Sequence, residues 1–558
     1  MTRPSSESHE DLGLLELRRF VATLADEVSR LGVLARTKDA ELASRDAAIE
    51  ELQAANAFLK IEVQALKDEI ARLKGLPPRP KFKGKPSGME QATSPGSGDA
   101  GRSKRRRGSK RAKLTVMAEV VVKATTPAGC RFLGYEDIIV QDLRITVETV
   151  RYRKERWAGP LGERIIAPLP AGILGGYGPE LRRFIAAGHF QGQMTTERLT
   201  ALLTGMGVDI SKRQVVRLVS KGLEDLIAED QAVLRAGLET APWITVDDTG
   251  ARHAGKDGYV TQIGDDRFAV FRTGPSKSRL AFLANLRAGH GDYVVNAQAL
   301  AYMRARALAG PLIARLKIHP TKRFADQAAW SAHLEALGLA QLKVTPDPVT
   351  IATEGALFGA VKAHGLLGNT VIVSDGAGQF RLDNHAACWI HAERLVHKLT
   401  PTNAEHRKAV EQTRTLIWDF YKDLKLYKLN PSPKRAQAQR ARFDKIFTKK
   451  TGYILLDRLL RRLHAQKADL LRVLERPEIP LHTNASENDI RSWVTKRKIS
   501  GGTVSNAGKA ARDAMLGLLK TCRKLDISFY RFIGDRFGVH DAPTVPNLPH
   551  LVRLAAAG

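Results

Sequence analysis

Two apolar, β-branched runs in this chain each end on an aspartate, and that pattern narrows the fold more than any other feature. Trp243-Ile244-Thr245-Val246 leads into Asp247-Asp248-Thr249-Gly250, and Asn369-Thr370-Val371-Ile372-Val373-Ser374 leads into Asp375-Gly376. Such runs read as buried strands, closed by ordinary turn chemistry. Behind the first come Gly258 to Ile263, a turn at Gly264-Asp265-Asp266, and Phe268 to Phe271, which together read as a three-stranded meander. Ser276 to Leu286 reads as a helix, a long insertion follows around 296–368, and then comes the strand that ends at Asp375. This order matches an RNase H-like α/β domain. In that fold the first and fourth strands lie side by side, so Asp247 and Asp375 would meet from far apart in the chain. Adjacent strand residues point to opposite faces, so only one of Asp247 and Asp248 would look into a shared site.

A third carboxylate completes the constellation. The turn Arg476-Pro477-Glu478-Ile479-Pro480 precedes Thr483-Asn484-Ala485-Ser486-Glu487-Asn488-Asp489-Ile490-Arg491. Asn484 reads as an N-cap, and Glu487 and Arg491 share one helical face. The helix continues through Lys496, Arg497 and Lys498 to Gly501-Gly502, and a further helix spans Lys509 to Lys524. Singly, each acid has a plain explanation: a turn former, a strand-end turn, an i,i+4 partner for Arg491. Together, two strand-end aspartates and a helical glutamate are hard oxygen donors of the kind that hold two Mg²⁺ ions about 4 Å apart for phosphoryl transfer. The expected catalytic and metal-binding set is therefore Asp247, Asp375 and Glu487, with two Mg ions and Mn as a substitute. Cys388, His391 and His385 resemble half a metal site and read as core or structural residues, so no zinc is expected.

The remaining chain speaks of polyanions. The net charge is +29, from 88 Lys and Arg against 59 Asp and Glu, and nucleic acid is the commonest partner for such a chain. Residues 12–75 keep an unbroken heptad register, with Leu14, Val21, Val28, Ala35, Leu42, Ile49, Val63 and Ile70 at a and Leu17, Leu24, Leu31, Lys38, Arg45, Leu52, Leu59, Leu66 and Leu73 at d, so that Ala35, Lys38 and Arg45 make a weak middle that reads as a soft joint. That pattern, with Asn56 at an a position, predicts a parallel dimeric coiled coil. Residues 76–113 read as a flexible linker whose basic core is Lys104, Arg105, Arg106, Arg107, Lys110 and Arg111. Residues 114–177 read as a small β module with strands at 116–122, 137–140 and 143–152. Residues 178–236 read as a helical segment in which Thr196–Thr204 and Ser211–Lys221 resemble a helix-turn-helix, with Lys212, Arg213 and Arg217 on the second helix. The catalytic domain is expected over 237–400 and 481–525, interrupted by a charged helical insertion at 401–480, with a C-terminal tail at 526–558. Three scattered cysteines, Cys130, Cys388 and Cys522, suit a reducing compartment. No run approaches a membrane span, so a cytoplasmic location without membrane contact is expected.

The motifs resemble those of transposases of the insertion-sequence-66 family, a group of bacterial DDE transposases. Asp247-Asp248-Thr249 stands where the family has Asp-Glu-Thr. Asp375-Gly376, then Cys388-Trp389-Ile390-His391 and Arg394, match its second motif, and Asn484, Glu487, Arg491, Arg497 and Lys498 match its third. The likeness covers roughly 180–535. It implies a triad of Asp247, Asp375 and Glu487, binding at terminal inverted repeats, Mg²⁺-dependent cleavage and strand transfer, double-stranded DNA as element ends and target, and accessory proteins of the same element. Arg491, Arg497 and Lys498 join the expected DNA contacts. Two departures stand out. The family's Cys-x-x-Cys module after the coiled coil is absent, and the stretch around 296–368 is long. A nuclease with the same triad but no strand transfer, and a catalytically inactive dimeric DNA-binding regulator, are the rival readings.

Overall fold

The computed structural model describes seven residues between 22 and 33, and residues 115–557 apart from 128 and 343. The chain divides into two compact units, residues 1–86 and 87–558. In the first unit the seven described residues are helical. The rest of the expected coiled coil, and the basic linker with Lys104–Arg107, Lys110 and Arg111, lie outside the described residues.

The expected strands at 116–122, 137–140 and 143–152 do not form. Those segments have no ladder partner, and Val116, Val120, Val122, Ile138, Val140 and Leu143 stand exposed. A strand needs both a partner and a buried face, and here only the short hairpin β1 (Arg156–Ala158) and β2 (Arg164–Ile166) finds the first. A helical segment follows: α1 (Pro179–Ala186), a π turn at Ala187–Gln191, α2 (Thr196–Gly205), α3 (Lys212–Leu218) and α4 (Glu224–Thr240). The two helices of the expected helix-turn-helix are present. Ser211 and Gln214 close α3 with a reciprocal capping box, and α3 ends at Leu218, short of the expected Lys221.

The meander is β3 (Trp243–His253), β4 (Lys256–Gly264) and β5 (Ala269–Gly274), all antiparallel. After α5 (Arg279–Leu286) the long insertion folds as β6 (Tyr293–Val294), α6 (Ala297–Ala305), α7 (Gly310–Ile318), β7 (Arg323–Phe324), α8 (Gln327–Ala336) and α9 (Pro348–Ala363). The chain then re-enters the sheet as β8 (Val371–Ser374), parallel to β3, and β9 (His385–Ala387), parallel to β8. The strand order is β5-β4-β3-β8-β9. This mixed sheet, flanked by helices, is compatible with an RNase H-like domain.

The second half is helical: α10 (Trp389–His397), α11 (Ala404–Leu429), α12 (Pro433–Phe447), α13 (Ile454–His464), α14 (Lys467–Leu470), α15 (Asn484–Ser500), α16 (Asn506–Lys524), α17 (Phe529–Arg536) and α18 (Leu548–Ala557). The N-cap of α15 is Thr483 rather than the expected Asn484, because the Thr483 carbonyl already accepts from Glu487 N at 3.0 Å. Gly501, at φ 68°, ends that helix where expected.

Two apolar cores sit on the two sides of β8. Ile372 packs into the first, with Ile244, Val246, α4, α16 and the α6–α9 insertion. Val371 and Val373 pack into the second, which Trp389, Phe420, Phe443 and Phe447 fill from α10–α12. Alternation along a strand buried on both faces gives this split. In the first core α9 runs so close to β6 that a Cβ on Gly359 would stand 2.1 Å from Val294 O. Gly359→Ala is therefore expected to cost about 1–3 kcal/mol, read as a lower thermal unfolding midpoint.

Lys496 on α15 is fully buried, with Nζ against the carbonyls of His189 and Met194. Burial, then the charge of Arg512, pulls its ammonium down to about 7. The unfolded chain keeps that proton up to the ordinary lysine range, so between these two values unfolding takes up a proton. The penalty is complete below about pH 7 and is relieved as pH rises. Thermal scans from pH 6 to 9 should show the wild type gaining stability relative to Lys496→Met. Parallel pH profiles for the two proteins would contradict this account.

Candidate active site

The site begins with strand register. β3 and β8 pair as Trp243↔Val371, Ile244↔Ile372 and Thr245↔Val373. Asp247 and Asp375 each come two residues after the last pair. With a period of two they emerge at the same level on the same face. It is the face on which Val371 and Val373 meet the second core.

Backbone hydrogen bonds carry the other site residues to this place. Cys388 N donates to Ser374 O at 2.9 Å, so α10 starts beside the end of β8, and Trp389 N donates to Leu481 O at 3.0 Å, which ties α10 to the chain entering α15. Arg394 on α10 reaches Glu487 Oε1 at 3.1 Å. His391 Nε2 lies 3.9 Å from the same oxygen, and Arg491 reaches Oε2 at 3.6 Å. At the far end of α15, Thr503 N donates to Arg252 O, Ala254 N donates to Thr503 O, and Arg497 donates to Gly250 O. The glutamate helix is thus fastened to β3 at one end and to α10 at the other.

The electrostatics follow from this crowding. Burial, and then the negative charge of Asp375, pushes Asp247 up to about 6, against the hydrogen bond that Asp248 N donates to Asp247 Oδ1 at 2.8 Å. Asp248 is also raised, by burial first, and it accepts from Gln379 Nε2 at 2.7 Å, with Lys277 nearby as an opposing charge. Asp375 is exposed, and its Oδ1 accepts from Ala377 N at 2.9 Å. Burial pulls His391 down, but the hydrogen bond with Cys388 and the negative charge around the ring, that of Asp375 and Glu487 included, lift it to about 9. Carboxylates drawn together at this cost favour a cation between them.

Among the described residues, no group of three His, Cys, Asp or Glu side chains closes into a ready-made metal site. The donor chemistry nevertheless fits a hard divalent ion. Asp247 and Asp375 would offer carboxylate oxygens from one face, and Mg²⁺ is commonly held by one or two carboxylates with water and substrate phosphate completing the shell.

Of the expected DNA contacts, Lys212, Arg213, Arg217 and Lys498 are exposed, although Lys212 has Glu197 at 3.6 Å. Arg491 is spent partly on Glu487 and Asn488, and Arg497 on Gly250 O. The plain structural reading of the Cys388, His391 and His385 group holds for two of the three. Cys388 is buried, and His385 is buried between Ser374 Oγ at 2.8 Å and Asp469 at 3.0 Å. His391 instead faces the carboxylates. Arg394, which the second motif contains but the expected site set does not, touches Glu487, and Gln379, absent from both, touches Asp248. The i,i+3 spacing of His391 and Arg394, which puts both on one helical face, is the signal that could have found the first of them.

The model of the transposase IS66 family matches residues 175–293 and 368–511, which takes in β3, β8, α10 and α15 and breaks across 294–367. The chain is also 51% identical over 324 residues to an uncharacterized protein, y4jO, of Sinorhizobium fredii (strain NBRC 101917 / NGR234). That alignment covers 58% of this chain and 100% of the relative. Two aspartates from paired strands, a glutamate from the helix that packs on the first of them and this family match converge on one conclusion: the chain belongs to the IS66 family of transposases.

Proposed function

We propose that this protein is a DNA transposase that binds the terminal inverted repeats of its element and performs Mg²⁺-dependent cleavage and strand transfer through Asp247, Asp375 and Glu487. The observation that carries this reading is the common level and face of Asp247 and Asp375, with Glu487 led to the same end of the sheet through α10. A divalent ion held by Asp247 and Asp375, with Glu487 as third carboxylate, would supply Lewis acidity to activate a water or 3′-hydroxyl and steady the leaving oxygen.

The protein's own residues do the rest. Asp247 is the working member of the Asp247–Asp248 pair because it shares a face with Asp375, whereas Asp248 continues the face of Val246 and is held by Gln379. Arg394 fixes the Glu487 carboxylate. His391 and Arg394 bring positive charge to the place where a phosphodiester would enter, an arrangement suited to an anionic substrate. Double-stranded DNA is the substrate, both as element end and as target. The heptad segment pairs two subunits, so that two ends are held together, and accessory proteins of the element act beside them.

A plasmid carrying the gene with its native flanks, incubated with purified protein and Mg²⁺, tests the reading. New 3′ ends are expected at the tips of flanking inverted repeats, together with joined products, and Asp375→Ala should abolish both while leaving DNA binding intact. Nicks without joining would indicate a nuclease. No cleavage, even with accessory proteins supplied, would indicate a regulator. Asp247→Asn should lower single-turnover cleavage on the order of a hundredfold or more, the scale on which one preorganised electrostatic group acts, and Asp248→Asn should lower it far less. The reverse order would move the metal ligand to Asp248.

A further inference from the structure

The helical insertion carries a feature that cleavage chemistry does not use. One side of α13 is apolar and buried, with Leu456, Leu459, Leu460 and Leu463 in the second core. The opposite side presents Arg458, Arg461 and Arg462, all exposed, and Lys449 and Lys450 stand exposed in the turn just before the helix. Among the described residues, none of these five lies within ion-pair reach of a carboxylate. The acid on the same helix, Asp457, is turned inward, where it accepts from Thr451 N at 2.8 Å and Thr451 Oγ at 2.6 Å. Neighbouring basic residues are neutralised: Arg414 by Glu393, Arg440 by Glu475, Lys467 by Asp444. The stripe is thus a cluster of positive charge, on one helix and the turn before it, for which the described residues supply no carboxylate partner.

Its position is as telling as its sign. α13 packs against α10, the helix that carries His391 and Arg394. Its C-terminal end runs out at Gln466, whose Oε1 would lie 3.9 Å from a Cβ on Gly376, in the turn of the second aspartate. A row of unpaired guanidinium groups therefore leads along one helix towards the carboxylates. Arg458 and Arg462 are one turn apart, about 6 Å at 1.5 Å per residue. That separation lets neighbouring side chains reach separate phosphates of one strand, which follow each other at about 3.4 Å of axial rise.

We infer that the stripe Lys449, Lys450, Arg458, Arg461 and Arg462 is a phosphate-backbone contact for duplex DNA, which it holds against the end of the sheet where Asp247 and Asp375 emerge. The choice of DNA as the polyanion rests on the transposase reading. The contact itself is sequence-independent, since exposed arginines on phosphates position a duplex without reading its bases.

The test uses the full chain, a fluorescent mixed-sequence duplex of about 30 base pairs, and EDTA, so that binding is measured apart from cleavage. Affinity is followed against salt for the wild type, for Arg458→Ala/Arg461→Ala/Arg462→Ala, and for Arg304→Ala/Arg315→Ala/Lys317→Ala. The last removes the same charge from exposed positions in the α6–α9 insertion. Each phosphate contact contributes about 0.9 to the slope of log affinity against log salt, so the stripe variant should flatten that slope by about 2 to 3. The control variant should change it by less than 1. Circular dichroism and the thermal midpoint should match the wild type for both. A stripe variant with the wild-type slope, or a control that flattens it equally, overturns the inference. Stronger loss for single-stranded RNA or an acidic protein than for the duplex would also overturn it. Asp375→Ala reports independently: if it keeps the full slope in EDTA but loses cleavage in a parallel reaction with Mg²⁺, the catalytic reading stands whatever the stripe does.

Discussion

Parallel pairing of β3 with β8 is the constraint on which the rest of this structure depends. Only a parallel neighbour lets two adjacent strands run towards the same edge of a sheet, and equal spacing beyond the last paired residues puts both aspartates at one level on one face. The cost of parallel pairing is a long crossover, because the chain must return to the starting edge before the second strand can begin. Here that return is made through β4, β5, α5 and the whole α6–α9 insertion. The two runs also differ in what they must satisfy. β8 is buried on both sides and is apolar at Val371, Ile372 and Val373. β3 continues past its pairing with β8 into an antiparallel ladder with β4, so it can carry Asp247, Asp248 and Thr249 without breaking.

Glu487 is held by different means. α15 is a polar helix, and little of its position is set by apolar packing beyond Ile490 and Trp493. Buried polar contacts do the holding. Asp489 accepts from Gln262 and pairs with Lys524 at 2.8 Å, joining α15 to β4 and α16. Trp493 donates to Asp513, which also accepts from Thr273 N and Oγ. Unlike apolar contacts, these interactions are directional, and removing one partner leaves a desolvated charge behind. A site that needs a carboxylate at one place gains from directional supports more than from grease.

Much of this was legible in the residues, and what was not has physical causes. The second strand with Asp375 and the helix bearing Glu487 lie where pattern and turn chemistry put them, because each is locally specified, whereas the first run does not turn at Asp247 to Gly250 but continues as β3 to His253, because β4 offers it a ladder partner along that whole length. The strands expected between 116 and 152 are rich in β-branched residues but have no partner, and pairing is a property of two segments that one segment cannot reveal. Thr483 displaced Asn484 as the cap by one residue, within the usual play of helix ends. His391 reads as structural in the sequence, because a lone histidine near a cysteine carries no charge information. Its role depends on Asp375 and Glu487, which reach it only through folding.

The insertion between β5 and β8 has a consequence for how this chain can be divided. The family match stops at residue 293 and resumes at 368, which invites treating the segment between as an ornament. Its side chains say otherwise. Met303, Trp330, Leu357 and Val361 share one apolar core with Ile244, Val260 and Ile372 of the sheet and with Phe282 and Leu286 of α5. The boundary of resemblance and the boundary of the folding unit therefore do not coincide. A shortened protein cut along the matched residues would open that core to water, and the bared outer side of α5 would need new polar residues before the sheet could stand without its cover.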